Sequence, residues 1–426
     1  MSRRESIHTA VERLLPSARK LLCDAIRFPS TPGKEHKEMG FLDQAFRRLD
    51  AEVERVKLSN RLRKDPDYSD PVPDIDYTGR FNLRVTRPGS GGGRKLLFNT
   101  HTDVVPASEG MDKAWSPQVK DGVVFGRGAC DAKGQVATLW LVLRALDELD
   151  IRLKGDVEAH LVVEEEVGGN GTLAMTRKGA RADGCVVLEP TGGKILTSIR
   201  GAVWFRLALS GKAGHSGSAG TTRSALLMAR DAIRILEEYH DDLLARSRGI
   251  PLFDSYPNPM PITFGRLEAG NWPASAPNRA VMEGVLGLLP NKTKEQVCEE
   301  MRAALQRGGD EFFAQNFDLR FMYRHDSSVV APDHGLPQGL LRAAAEAGRP
   351  ATIDAMTASC DAWFYNNQLR IPTLVYGPGT LKVAHSKEEQ IAMRDIAGAA
   401  ETLLRFLIDY CGVTVHGNRR DHGFHG

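Results

Sequence analysis

VATLWLVLRALDELDIRLKGDVEAHLVVEEEVGGNGTLAMTRKGARADGCVVLEP, residues 136–190, decides the fold. Residues 136–149 are apolar at helical spacing, 157–163 are a short apolar run, 172–178 return to a helical pattern and 184–188 to an apolar run. Such alternation predicts an α/β fold, a mixed sheet covered by helices on both faces.

Upstream, Val11, Leu14, Leu15, Ala18, Leu21 and Leu22 repeat at helical spacing, and a second helical pattern around Phe41, Leu42, Phe46 and Leu49 follows a break at Pro32 and Gly33. Residues 61–80 are rich in Asp and Pro and lack periodicity, which predicts a long surface loop, of the kind that often carries function. Strand-like runs at 82–85 and 95–99 flank a glycine turn at 89–93. Downstream the pattern changes. A strand-like run at 197–209, a long helix at 222–245, strand-like runs at 261–267 and 279–288 and a helix at 294–306 make a βαββα unit, read as a smaller inserted α+β domain. Alternation resumes with a helix at 338–347, a strand at 373–376 and a helix at 388–407. The expected division is a catalytic domain over 1–195 and 311–415, an insertion over 196–310, and a polar, glycine-rich flexible tail over 416–426.

A chain of 426 residues exceeds the usual size of a single core, in keeping with that division. With 56 Lys and Arg against 54 Asp and Glu, the net charge of +2 and the lack of like-charge blocks argue against a nucleic-acid or membrane surface and for a small-molecule substrate. The six cysteines, Cys23, Cys130, Cys185, Cys298, Cys360 and Cys411, form no CxxC pair and read as reduced thiols of a cytoplasmic protein. The opening residues mix Arg3, Arg4, Glu5, His8 and Glu12 into an amphipathic pattern, a first helix rather than a signal peptide, and no stretch has the roughly 20 apolar residues of a membrane span.

Acids and imidazoles gather where strands are predicted to end. His101 and Asp103 follow the apolar run 96–98, and their i, i+2 spacing puts both on one face; a carboxylate there can hold a metal-ligating imidazole, although a surface His beside a strand-end Asp has the same pattern. Asp131 sits in the glycine-flanked run 126–134 before a helix, as a cap or as a carboxylate bridging two cations. Glu164, Glu165 and Glu166 end the next strand. They repel one another unless solvated, or unless cations let one ligate while its neighbour handles protons. Glu189 ends another strand, at the edge where open α/β sheets bind ligands, and His385 stands between a strand and a helix. His101, Asp131, Glu166, Glu189 and His385 together offer two imidazoles and three carboxylates, suited to zinc and compatible with manganese or cobalt.

In order, the runs 101–103, 126–134, 164–172, 188–190, 214–216 and 384–386 resemble the motifs of the acetylornithine deacetylase, succinyl-diaminopimelate desuccinylase and carboxypeptidase G family of metallohydrolases. That resemblance implies a zinc-peptidase-like catalytic domain with an inserted lid and dimerisation domain, working as a homodimer or higher homo-oligomer. It implies two divalent ions per chain: Asp131 bridges them, His101 and Glu189 complete one site, and Glu166 and His385 the other. Asp103 supports His101. Glu165 matches the general base and His215, in the insertion, the histidine that stabilises the oxyanion, often across a dimer interface.

The chain departs from the family where substrate is gripped. Ala274-Ser275-Ala276-Pro277 replaces an Asn-x-x-Pro run, Asn271 lies early for that asparagine's role, and the arginine that relatives use for a substrate carboxylate falls on Gly287. Arg200, Asn271 and the segment 359–361 are therefore candidates for shaping the pocket. Deacylation of a small N-acylated amino acid or related amide is the leading expectation. Removal of an amino group from an aromatic ring, as in 5-nitroanthranilate aminohydrolase, is the alternative, separated by whether acid or ammonia is released. A metal-binding scaffold without catalysis would have no use for Glu165.

Overall fold

The computed structural model describes residues 3–218 and 220–414. Within 136–190 the alternation is helix Lys133–Glu148, strand Val157–Val162, helix Asn170–Thr176 and strand Gly184–Val187. Among the described residues the larger sheet runs Glu52–Lys57, Phe81–Arg87, Val157–Val162, Leu96–His101, Gly184–Val187, Thr373–Val375, Ile195–Ile199 and Ser328–Val329, with Ile353–Met356 also on Ile195–Ile199. Its four central strands, Val157–Val162 to Thr373–Val375, are parallel, and antiparallel strands flank them.

Both faces of this sheet are covered, and the pleat shows how. Leu96 and Phe98 pack into a cluster with Val136, Leu139 and Leu143 of helix Lys133–Glu148 and with Leu403 and Leu407 of helix Met393–Cys411. Leu97 points the other way, into a cluster with Cys185, Val187, Tyr365 and Ile371. Strands buried on both faces read as continuous apolar runs, which is why 96–98 and 184–188 lack alternation. Each fully buried leucine contributes about 1.5–3 kcal/mol relative to exposure.

The smaller sheet is antiparallel, ordered Ile262–Ala269, Arg279–Leu288, Gly201–Ser210, Phe317–His325. Val203, Phe205, Leu207 and Leu209 alternate into its own core beneath helices Ala225–Arg246 and Lys294–Gly308. Three expectations need correction. The run 197–209 is two strands: Ile195–Ile199 belongs to the larger sheet and Gly201–Ser210 to the smaller, with Arg200 alone between them. An insertion starting at 196 therefore cuts a strand of the larger sheet. The smaller sheet also takes its fourth strand from beyond residue 310, because Phe317–His325 pairs with Gly201–Ser210. Finally, the helix expected from 388 starts at Met393, because Gln390–Ala392 is a strand paired with Val123–Phe125.

The segment 61–80 carries only the short turn Asn60–Lys64 and irregular backbone, and it straps the two units together. Asp70 donates its N–H to the Met322 carbonyl (2.8 Å) and Arg324 Nη2 donates to the Pro66 carbonyl (2.8 Å). The Asp67 carboxylate accepts from Lys294 of the smaller unit (2.9 Å) and from Arg177 of the larger (2.9 Å). All six cysteines are unpaired, and among the described residues no helix is long and apolar enough to cross a membrane. The expected tail, 416–426, lies outside the described residues.

Candidate metal centre

Because the central strands are parallel, their C-terminal ends meet at one edge of the larger sheet, and the residues just beyond those ends are polar. His101 is the last residue of Leu96–His101, Glu164–Glu166 come after Val157–Val162, and Glu189 comes after Gly184–Val187. His385 lies beyond Thr373–Val375, and Asp131 precedes helix Lys133–Glu148 without capping it. Two triads result, His101 with Asp131 and Glu189, and Asp131 with Glu166 and His385. Within each, the candidate donor atoms lie within 4.8 Å of one another. Asp131 belongs to both: its Oδ1 is 3.0 Å from His101 Nε2 and its Oδ2 is 3.4 Å from His385 Nε2. Glu189 Oε2 lies 3.7 Å from His101 Nε2, and Glu166 Oε1 lies 3.0 Å from His385 Nε2.

Charge at this edge is out of balance. Burial, followed by the neighbouring Asp131 carboxylate, pushes Glu166 up to about 7, and burial likewise raises Glu189 to about 7 despite the opposing pull of His101. Burial disfavours a charged His385, yet its hydrogen bonds to Asp131 and Glu166 outweigh that and bring it to about 10. Crowded carboxylates that hold on to protons, facing imidazole nitrogens, are a donor set that divalent cations would satisfy. The residues present therefore fit two such ions, with Asp131 common to both donor sets.

The three consecutive acids are sorted by the backbone. Glu164 adopts a left-handed conformation, φ 63°, and turns its carboxylate inward. There it accepts from Tyr77 Oη (2.6 Å) and Asn170 Nδ2 (3.1 Å) and pairs with Arg80. Glu166 faces His385. Glu165 belongs to neither triad; burial raises its pKa well above the ordinary value, and His101 draws it only partly back. Asp103 fixes this turn: its Oδ1 and Oδ2 accept from the backbone N–H groups of Glu165 (3.0 Å) and Glu166 (3.1 Å). Its support of His101 runs mainly through its own backbone carbonyl, 2.9 Å from Nδ1, with the carboxylate at 3.5 Å.

Glu389 was not singled out by sequence reasoning, yet its Oε1 accepts from the backbone N–H groups of Cys130 and Asp131, both at 3.1 Å, and its Oε2 pairs with buried Arg127. It thereby holds the turn that presents Asp131. A pairing across 262 positions leaves no local signal beyond the polar residues of 126–134 and 384–389. The segment 359–361 does reach the site's surroundings. Ser359 Oγ accepts from Tyr323 Oη (2.9 Å), and Asp361 accepts from Thr172 Oγ1 (2.5 Å). His215 and Asn271 are not drawn in. Both are exposed in one corner of the smaller unit, where Gly214–His215 pairs with Ser275–Ala276 and the Gly217 N–H donates to His215 Nδ1 (3.0 Å).

With this geometry in view, comparisons with known proteins converge. The family described as Peptidase family M20/M25/M40 matches residues 97–409. The chain is 27% identical over 356 residues to an N-formyl-4-amino-5-aminomethyl-2-methylpyrimidine deformylase of Bacillus subtilis (strain 168), covering 74% of this chain and 79% of the relative. It is 27% identical over 419 residues to an acetylornithine deacetylase of Myxococcus xanthus, covering 93% and 98%. Its fold is similar to that of the di-peptidase Dug1p of Saccharomyces cerevisiae, with a TM-score of 0.79 at 14% identity over 96% of this chain and 99% of that one.

Proposed function

The chain belongs to peptidase family M20/M25/M40, and from that premise we propose that it hydrolyses the amide bond of a small N-acylated amino acid or related amide with two divalent cations per chain. The observation that carries this reading is Asp131, shared between two imidazole–carboxylate triads beside Glu165, a carboxylate that joins neither. Relatives named as a deformylase and a deacetylase support acyl removal.

Zinc is the first choice for the donors His101, Asp131, Glu166, Glu189 and His385, with manganese or cobalt as alternatives. Such ions would supply the positive charge that makes water acidic near neutral pH and polarises the scissile carbonyl. Glu165 takes the proton of the attacking water and passes it to the departing nitrogen, a role for a carboxylate near the cations but not on them. Asp103 holds the Glu165 and Glu166 backbone, and so positions base and ligand together. His215 is bonded within its own loop, and we assign it to the oxyanion of a second copy's site, which makes the working form a homodimer or higher homo-oligomer. We divide the chain near residues 200 and 326, with the smaller unit as lid and dimerisation surface. The unpaired thiols fit work in the cytoplasm.

The test is to assay the products released from N-acyl amino acids, before and after chelation. The expected result is one carboxylic acid per amine, lost with chelator and restored by zinc, manganese or cobalt. Ammonia from an aromatic amine, with no acid from any amide, would replace this reading by the aminohydrolase one.

A further inference from the structure

The irregular segment 61–80, between strands Glu52–Lys57 and Phe81–Arg87, touches both the smaller unit and the turn that carries Glu165. On one side it is held by Lys294 at the Asp67 carboxylate, Arg324 at the Pro66 carbonyl and the Met322 carbonyl at the Asp70 N–H. On the other it lies along helix Asn170–Thr176, which follows the turn directly. At the start of that helix the Ser69 N–H donates to Asn170 Oδ1 (3.0 Å), and Asn170 Nδ2 donates to the Ser69 carbonyl (2.8 Å) and to Glu164 (3.1 Å). Just past its end Arg177 donates to Asp65 (2.7 Å) and to Asp67 (2.9 Å). Between the two, Leu62 and Tyr68 pack against the cluster of Leu173, Trp363 and Phe364.

Strap, turn and smaller unit meet at Gly168. A Cβ there would overlap both Ser69 of the strap and the ring of Tyr323 of the smaller unit, and its φ of 110° again favours glycine. The Gly168 N–H donates to the Glu165 carbonyl (2.9 Å), so a shift of the strap is felt one hydrogen bond from the candidate base. Asp67 is where the two units are joined by charge. Its Oδ1 takes Lys294 of the smaller unit, and its Oδ2 takes Arg177 and Gln368 Nε2 (3.1 Å) of the larger. Both Asp67 and Lys294 are largely sheltered from solvent, at 22% and 12% side-chain exposure, so salt screens this pair less than a surface one.

We propose that Asp67 is a positioning residue: its bridge from Lys294 to Arg177 ties the smaller unit to the acid turn, so that the seating of that unit sets where the Glu165 carboxylate stands. This rests on the amide-hydrolase reading above. The test compares metal-loaded wild type, Asp67→Asn and Lys294→Met by hydrogen–deuterium exchange and by kinetics on N-formyl and N-acetyl amino acids. Arg234→Met, which removes a charge of the smaller unit paired only with Glu238, is the control. Both test variants should speed exchange over 164–170 by at least about threefold and leave strand Leu96–His101 unchanged. They should lower kcat on the order of 10-fold with KM within about threefold, because the base is misplaced and binding is not. Lys294→Arg should recover part of the loss, and Arg234→Met should change neither readout. Asp67→Asn leaves Lys294 over the Trp363 ring (4.4 Å), so an effect of Lys294→Met alone would run through that ring and overturn the proposal. Faster exchange confined to 61–80, equal loosening of Leu96–His101, an unchanged kcat or a loss in KM alone also overturn it. If wild type cleaves no amide, the amide reading fails and exchange alone decides: faster exchange over 164–170 in both variants upholds the tie, and unchanged exchange overturns it.

Discussion

Three adjacent glutamates should give three different phenotypes when each is changed to glutamine. Glu164 is fully buried and pairs with Arg80, itself 7% exposed. Breaking a buried pair costs about 3–5 kcal/mol, and here Glu35 keeps part of the arginine's compensation, so about 3 kcal/mol is expected for Glu164→Gln. In a domain of more than about 250 residues that is a fall of roughly 4–6 °C in Tm. Glu165→Gln changes no ion pair and leaves intact the backbone N–H that Asp103 accepts, so stability and metal content should hold. Losing the base should lower kcat by about 10²–10⁴-fold, or roughly 3–5 kcal/mol of barrier. Glu166→Gln removes a donor from one triad only and should bring the metal content from two ions to one. Differential scanning fluorimetry, metal analysis and steady-state kinetics on the three variants separate these outcomes. A Glu165→Gln enzyme keeping more than about a tenth of wild-type kcat, or three variants that behave alike, would refute the division of labour.

Other consequences can be measured separately. His325 stacks on Trp363 with centroids 4.6 Å apart and lies 4.2 Å from Tyr323, and burial brings it down to about 3. A depressed folded-state value means that its contribution is fully present above the unfolded histidine range near 6.5 and is lost as pH falls toward 3. His325→Phe, which keeps a ring in the stack, should therefore lose less stability than wild type between pH 6.5 and 3 in parallel denaturation series; identical slopes would contradict this. For His215, two inactive variants, His215→Asn and Asp131→Ala, should regain activity when mixed and allowed to exchange subunits, because one hybrid site then has both groups. Hybrids that form but stay inactive would place the histidine's work within its own subunit.

The metal-site candidates were legible because chemistry and topology coincide. An apolar strand that stops at His101, or just before Glu189, announces its end in the residue types themselves. What stayed hidden depends on partners far along the chain. Residues 197–209, TSIRGAVWFRLAL, read as one β-forming stretch, and only the pairing of Ile195–Ile199 with Thr373–Val375 and of Gly201–Ser210 with Arg279–Leu288 shows that the chain changes sheets at Arg200. Phe317–His325 has charged residues on its exposed side, which blurs its strand pattern in the sequence. Nor does composition tell Glu164 from Glu165: the difference is made by a left-handed turn and by Arg80, 84 positions earlier.

Metal analysis joined to anomalous diffraction from the loaded protein probes the central claim directly. Two ions per chain are expected, with Asp131 between them, His101 and Glu189 on one and Glu166 and His385 on the other, and Asp131→Ala should lose both. Ions found elsewhere, or full occupancy and turnover in Asp131→Ala, would contradict the account.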